Sequence, residues 1–290
     1  MVIILNLYNE TKNILKKYNI SANKKLGQNF LVNEEIVKVI VEKANIEEKD
    51  LIIEIGPGLG TLTKYLLEKA GKVICIELDT RMIEILNDRF KLYNSFKLIN
   101  EDVLKVDLKE LIRKEKVDGI KNVKIVANLP YYITTPIIMK LLEEKLDIDS
   151  ITVMVQKEVA DRLVDIPGGK NSGAITCAIN YYTKPKKVLD VPSTSFIPEP
   201  EVNSSVIQLM MLRKPCIEVK DEKTLFKIIK IAFMQRRKTL LNALSNGNTG
   251  NKKDIEEMLL NLQLDLNIRG ERLSLENFGK IADYIYDNKL

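Results

Sequence analysis

The chain has 290 residues, 45% apolar and 29% charged, with a net charge of +5 and no histidine. Its length suits two domains of roughly 150 residues each, and its longest apolar stretch, five residues, falls far short of the ~20 that a membrane helix needs. Missing histidine removes the usual general base, most zinc sites and the zinc-dependent deaminase route; Cys75, Cys177 and Cys216 are too widely spaced for a disulfide framework or a metal cluster, and fit a reducing cytoplasm.

The apolar start, Met1 to Leu7, lacks a charged lead and a small-residue cleavage site, so no signal peptide is expected. Residues 1–48 form a basic, helical lead-in in which Lys12, Lys16, Lys17, Lys24 and Lys25 cluster. From about residue 50, short β-branched runs alternate with helical stretches. Strands are expected at Leu51–Ile55, Val73–Ile76, Phe96–Ile99, Val123–Ala127 and Ile151–Val155, with helices such as Thr61–Ala70 and Thr80–Phe90 between them. Strands recurring every 22 to 28 residues, each with a crossover helix, predict a parallel α/β sheet. Right-handed crossovers then line the strand C-termini along one edge, where ligands bind in such sheets. The proline-punctuated stretch Val191–Pro200 reads as a loop and Ser205–Leu212 as a final strand. Beyond Arg213 the strand signal fades; 221–245, 252–261 and 274–287 read as amphipathic helices, and Asn246–Asn251 as a flexible turn. The expected division is an α/β domain at 1–213 and a small helical domain at 214–290.

Gly56, Glu77, Asp102 and Asn128 fall at the C-terminal ends of successive strands. In Glu54-Ile55-Gly56-Pro57-Gly58-Leu59-Gly60, glycines at alternate positions let the backbone turn tightly and approach a ligand closely. The spacing differs from the Gly-x-Gly-x-x-Gly of dinucleotide folds. Glu77 is placed to hold ribose hydroxyls, and Asp102 to accept from an adenine amino group. A carboxylate there disfavours dinucleotide phosphates, so the series suits S-adenosylmethionine better than NAD.

Asn128-Leu129-Pro130-Tyr131 closes the fourth strand with a device for gripping a planar amine. The Asn128 side-chain oxygen and the Leu129 carbonyl can accept from an exocyclic NH₂, Pro130 fixes φ, and Tyr131 can stack on the heterocycle. Phe196 is the candidate for the opposite stacking face. Positioning and electrostatics then carry catalysis, consistent with the missing histidine. A base inside a duplex must be flipped out or presented in a loop to enter such a pocket.

Taken together, the segments Lys24-Lys25-Leu26-Gly27-Gln28-Asn29-Phe30-Leu31, Glu54 to Thr63, Glu101-Asp102-Val103-Leu104, Asn128 to Tyr131, Gln156 to Leu163, Phe196 to Pro200 and Arg236-Arg237-Lys238-Thr239-Leu240 carry a resemblance over almost the whole chain. The chain resembles the small-subunit ribosomal RNA adenine dimethyltransferase (KsgA/RsmA-type) family. The resemblance implies a Rossmann-like, S-adenosylmethionine-dependent methyltransferase domain followed by a small all-helical C-terminal domain contacting rRNA. It implies N6,N6-dimethylation of two adjacent adenines in the 3′-terminal hairpin loop of 16S rRNA, in a cytoplasmic pre-30S particle. It also leaves room for a role in small-subunit biogenesis. Nothing in the sequence asks for a membrane or an obligate oligomer, so a monomer is expected.

Carried over by position, the cofactor residues are Asn29, Leu31, Gly56, Glu77, Asp102 and Asn128, and their neighbours Gln28, Glu54, Gly58, Gly60, Leu78 and Val103 complete the candidate set. Gln28 and Asn29 lie in the segment expected to fold over the cofactor. The acceptor residues are Asn128, Leu129, Pro130, Tyr131 and Phe196; the RNA-binding candidates are Lys24, Lys25, Arg236, Arg237 and Lys238. One departure is Ser172, at a position often aromatic in the family, which argues against a stacking role there. The rival readings are an Erm-type methyltransferase of large-subunit rRNA, a non-catalytic RNA-binding or assembly factor on the same scaffold, and an NAD-dependent oxidoreductase. The last requires a hydride-transfer site that the sequence does not offer.

Overall fold

The computed structural model describes residues 6–23, 27–117, 119–247 and 249–290. Asn6 caps the first helix, α1 (Leu7–Lys17), by accepting from Asn9 N–H at 2.9 Å. A two-residue strand, β1 (Phe30–Leu31), and α2 (Glu34–Lys43) follow. Then strands and helices alternate as β2 (Asp50–Ile55), α3 (Thr61–Leu67), β3 (Lys72–Glu77), α4 (Thr80–Phe90), β4 (Phe96–Asn100), α5 (Leu108–Glu115), β5 (Asn122–Asn128), α6 (Thr134–Glu143) and β6 (Ser150–Gln156). The chain continues through α7 (Lys157–Leu163), α8 (Ala174–Tyr182), β7 (Thr183–Val191), the short β8 (Phe196–Ile197) and β9 (Ser204–Met211). Helices α9 (Glu222–Met234), α10 (Leu240–Asn246), α11 (Lys252–Asn261) and α12 (Leu275–Asn288) complete it.

Seven strands form one sheet in the order β4-β3-β2-β5-β6-β9-β7. Neighbours from β4 to β6 are parallel, and β9 returns antiparallel to β6. The apolar runs of β2, β3, β5 and β6 are buried almost throughout, as strands covered on both faces must be. Chain order reverses between β2 and β5, because β3 and β4 lie on one side of β2 and β5 and β6 on the other. That reversal opens a crevice at the strand C-termini, which is where the expected site residues fall.

One compact unit comprises the chain up to Ala160 together with Lys186–Met211; the other comprises Asp161–Pro185 and Leu212–Leu290. The sequence-based boundary at 213/214 therefore misses residues 161–185, which group with the helical unit. The cause is α8, which buries Ile175, Cys177, Ile179 and Tyr181 and stacks Tyr182 on Phe226 of α9, ring centroids 5.7 Å apart. One further expectation is corrected in that unit. The single helix expected over 221–245 breaks at Gln235 (φ −119°, ψ 46°) and restarts behind the Thr239 cap, so Arg236–Lys238 lie on a turn. Within 246–251, Thr249 is buried and its hydroxyl donates to Leu244 O at 2.9 Å, while Asn248 lies outside the described residues.

Strand β7 was not expected, because Pro185 interrupts its pattern; it stands at the sheet edge, the place where a strand tolerates proline. No helix among the described residues is long and apolar enough to cross a membrane.

Candidate active site

One cavity opens at the C-terminal ends of β2 to β5. It is lined by the glycine turn, by Glu77 and Leu78, by Asp102 and Val103, and by Asn128 to Tyr131. Gln28, Asn29 and Leu31 of the N-terminal segment line it as well. No lysine or arginine does, among the described residues.

The turn after β2 is built on positive φ at Gly56 (65°), Gly58 (56°) and Gly60 (78°). Gly56 N–H donates to Ile76 O at 2.9 Å, tying the turn to β3. Space around Gly56 is open: a Cβ there would have Pro130 Cδ, 4.0 Å away, as its nearest neighbour. Gly58 differs, because a Cβ would come within 3.3 Å of the Phe30 ring. Gly60 does not line the cavity; a Cβ there would stand 2.3 Å from the Phe90 ring, so this glycine serves helix packing.

Glu77 ends β3 and is 6% exposed. It accepts from Gly58 N–H at 3.0 Å and Asp79 N–H at 2.8 Å, one on each oxygen. Burial pushes its pKa above the usual carboxylate range against the pull of these backbone donors. Each oxygen keeps lone-pair capacity for further donors such as ribose hydroxyls. Glu54, behind the turn, is 1% exposed and faces the Thr63 hydroxyl (2.6 Å) and Cys75 Sγ (3.4 Å). Burial pushes its pKa up to about 7, with the neighbouring Glu77 charge adding to the rise. Asp102 accepts from Leu104 N–H at 3.0 Å, which turns the chain after β4.

At the other wall, Asn128 ends β5 and donates through Nδ2 to Asn29 O at 3.2 Å. Pro130 O accepts from Ile133 N–H and from the Thr134 hydroxyl (3.2 and 3.1 Å), which pins the turn to the start of α6. Tyr131 is half-buried, its hydroxyl 2.7 Å from Ser204 Oγ, so its ring is held in one place. Burial raises its phenol pKa.

Phe196 is 4% exposed in the hydrophobic core, paired with Leu31 across β1 and β8, and does not line the cavity. Its loop brings it to a two-residue strand, whose pairing turns the ring inward. Ser172 is buried in the helical unit, where its Oγ accepts from Gly168 N–H at 3.3 Å. Lys24 and Lys25 lie outside the described residues. Arg236, Arg237 and Lys238 are exposed, with Arg236 Nε 3.3 Å from Glu271.

Sequence reasoning missed Phe30, Tyr132 and Asp79. The first two line the cavity beside residues it did select. Asp79 could have been found as the cap before α4, an Asp directly ahead of a helical run.

A parallel sheet with this glycine turn, a buried acid after the second strand of the series and a second acid after the third defines a Rossmann-like methyltransferase. Residues 19–287 match the family described as ribosomal RNA adenine dimethylase, and the chain belongs to that family. It is 49% identical over 275 residues to ribosomal RNA small subunit methyltransferase A of Alkaliphilus oremlandii, covering 94% of this chain and 95% of the relative. The protein of the same name from Bacillus cytotoxicus is 45% identical over 285 residues, covering 97% of each. A crystal structure of a dimethyladenosine transferase from Plasmodium falciparum superimposes with a TM-score of 0.74 at 27% identity, covering 90% of this chain and 98% of the other. The 23S rRNA methyltransferase ErmE shares the fold at 21% identity and a TM-score of 0.66, covering 89% of this chain and all of the other.

The protein is thus an S-adenosylmethionine-dependent adenine dimethyltransferase of ribosomal RNA. The cavity fits that donor on its own chemistry. Among the described residues its acids lie without cations, which suits a sulfonium and would repel phosphates, and the open space at Gly56 is one that a Cβ would fill.

Proposed function

We propose that this enzyme dimethylates N6 of two adjacent adenines in the 3′-terminal hairpin loop of 16S rRNA. It acts as a cytoplasmic monomer on a pre-30S particle, and its release from that particle is a step of small-subunit biogenesis. The observation that carries this reading is that the donor-side acids and the Asn128–Tyr131 turn line one cavity. The 49% identity to a small-subunit enzyme, against 21% to ErmE, supports 16S over 23S rRNA as substrate.

On this reading Glu77 holds the ribose hydroxyls, Asp102 accepts from the donor adenine, and Leu78 and Val103 pack its ring. The donor supplies an electrophilic methyl group on sulfur. Asn128 Oδ1 and Leu129 O accept from the two N–H groups of the target amine, which favours a pyramidal nitrogen with its lone pair aimed at the methyl. The immobilised Tyr131 ring stacks on the base and offers its π face to developing positive charge. Exposed Arg237 and Lys238 of the helical unit contact RNA phosphates.

Radiolabelled methyl transfer to unmethylated 30S subunits, with 50S subunits and free rRNA in parallel, tests the proposal. Dimethyladenine on 30S subunits is the expected result. Label on 23S rRNA would move the enzyme to the resistance-type branch, and no label anywhere would leave only a binding role.

A further inference from the structure

We propose that Gln28 is a positioning residue that acts through Asn29 on Asn128, and is not a ligand of the methyl donor. The inference rests on the assignment of Asn128 to the acceptor amine given above.

Both halves of the Gln28 amide are already committed. Its Nε2 donates to Asp79 Oδ2 at 2.8 Å, and its Oε1 accepts from Asn23 N–H at 2.8 Å. The orientation of this amide is not ambiguous, because a carboxylate only accepts and a backbone N–H only donates. Asp79 is itself a fixed anchor: it is 7% exposed, caps α4 through Arg81 N–H, and takes the Arg81 guanidinium on both oxygens. Arg81 in turn reaches Ser21 O at 3.4 Å. The N-terminal segment is therefore clasped to a buried carboxylate two residues beyond Glu77.

Immediately downstream the same segment is fixed a second time. Phe30 and Leu31 pair with Ile197 and Phe196, and Val32 N–H donates to Ser195 O at 2.8 Å. Asn29 lies between these two attachments, and its carbonyl receives Asn128 Nδ2 at 3.2 Å. A carbonyl oxygen can only accept, so it holds the Asn128 NH₂ toward the N-terminal segment and turns Oδ1 away from it, leaving that oxygen to meet the acceptor amine. Without the clasp, the Asn29 carbonyl loses its fixed place. The Asn128 amide can then flip by half a turn and present its own NH₂ to an incoming NH₂, two donors face to face. Gly27, with φ +59° and a Cβ position 3.4 Å from the Tyr132 ring, sets the approach of the segment to this wall.

The test compares Gln28→Ala and Gln28→Glu with the double variant Gln28→Ala/Asn128→Ala, set against Asn128→Ala alone, since a residue that acts through Asn128 adds nothing once Asn128 is gone. Three readouts are taken: single-turnover methyl transfer at saturating donor, donor affinity by calorimetry, and hydrogen exchange of the amides at 27–31. Each single Gln28 variant is expected to slow transfer by about tenfold to a hundredfold, the scale of a small misplacement. Donor affinity stays within about threefold, exchange at 27–31 rises, and Gln28→Ala/Asn128→Ala transfers no more slowly than Asn128→Ala alone. Donor affinity falling in step with the rate would make Gln28 a donor ligand and overturn the proposal. An active parent and equally active single Gln28 variants would also overturn it. A parent that transfers no methyl group would instead remove the functional reading beneath it, and the proposal with it.

Discussion

Strand β2 carries a buried acid near each end, and the fold treats the two in opposite ways. Asp50, at the N-terminal edge of the sheet, is 0% exposed and lies 2.6 Å from Lys124 Nζ, with Asn122 Nδ2 on its other oxygen at 2.8 Å. Lys72 and Lys97, near the starts of β3 and β4, share Glu115 of α5 in the same manner. Glu54, at the C-terminal edge, has no cation among the described residues: its partners are a hydroxyl and a thiol, and burial lifts its pKa to about 7. Glu77 is likewise buried and is held by backbone N–H groups of Gly58 and Asp79. Charges at one edge neutralise one another and fix the strands; at the other edge Glu54 and Glu77 are buried with no cation beside them among the described residues, at a cost in desolvation.

The most damaging way to break this contrast is to remove a cation from the paired edge. Lys124→Met leaves Asp50 buried without a counter-charge, which should destabilise the fold by about 3 to 5 kcal/mol in urea unfolding. A loss below about 1 kcal/mol would mean that water or a neighbour reaches Asp50 once the lysine is gone. At the other edge, Asn128→Ala should lower the methyl-transfer rate by roughly 10² to 10³ while donor affinity stays measurable, if its amide meets the acceptor amine as proposed above. Complete loss of donor binding would place Asn128 on the donor side.

Glu54 sharpens the contrast through pH. Its folded pKa of about 7 lies above the ordinary 4.5, so between those values the unfolded chain gives up its proton first. The stability this group contributes is therefore full below pH 4.5 and declines as the pH rises through 7, by about 3 kcal/mol for about two and a half units. Glu54→Gln imitates the neutral acid and does not titrate. Its unfolding free energy should match the parent near pH 4.5 and exceed it by about 3 kcal/mol at pH 8. Parallel profiles would show that water or a cation compensates the carboxylate in the folded chain.

How much of this was legible in the sequence differs between the two edges. The strands of the sheet centre announced themselves as short β-branched runs, and the residues just after them are the cavity wall. The exceptions have physical causes. Phe196 looked like a stacking residue because it sits in a polar, proline-rich loop, but pairing of β8 with β1 buries it. Gly60 belonged to the glycine series, yet its missing Cβ makes room for Phe90. The pairing of Asp50 with Lys124, 74 residues apart, and the clasp of Gln28 on Asp79, 51 residues apart, depend on strand order and chain return, which local pattern does not encode. The boundary of the helical unit was misread for the same reason: α8 packs on a helix that begins forty residues after it ends.

The smallest expected effect concerns charges that lie at neither edge. Arg236, Arg237 and Lys238 sit on the exposed turn between α9 and α10, which makes them available to phosphates, but not equally. Arg236 is shared with Glu271 at 3.3 Å and reaches Ser172 O at 3.5 Å, so releasing it to a phosphate means giving up those contacts. Replacing all three by alanine should therefore remove about two phosphate contacts, not three, and flatten the plot of log affinity against log salt by about 1.5. Arg237→Ala or Lys238→Ala alone should each account for more of that change than Arg236→Ala, measured by binding to 30S particles across a salt series. Equal contributions would mean that Glu271 yields its partner freely, and an unchanged slope would return the cluster to ordinary solvated surface. Either way the measurement separates charge placed for a ligand from charge placed for the fold, which is the distinction the two ends of β2 draw inside the sheet.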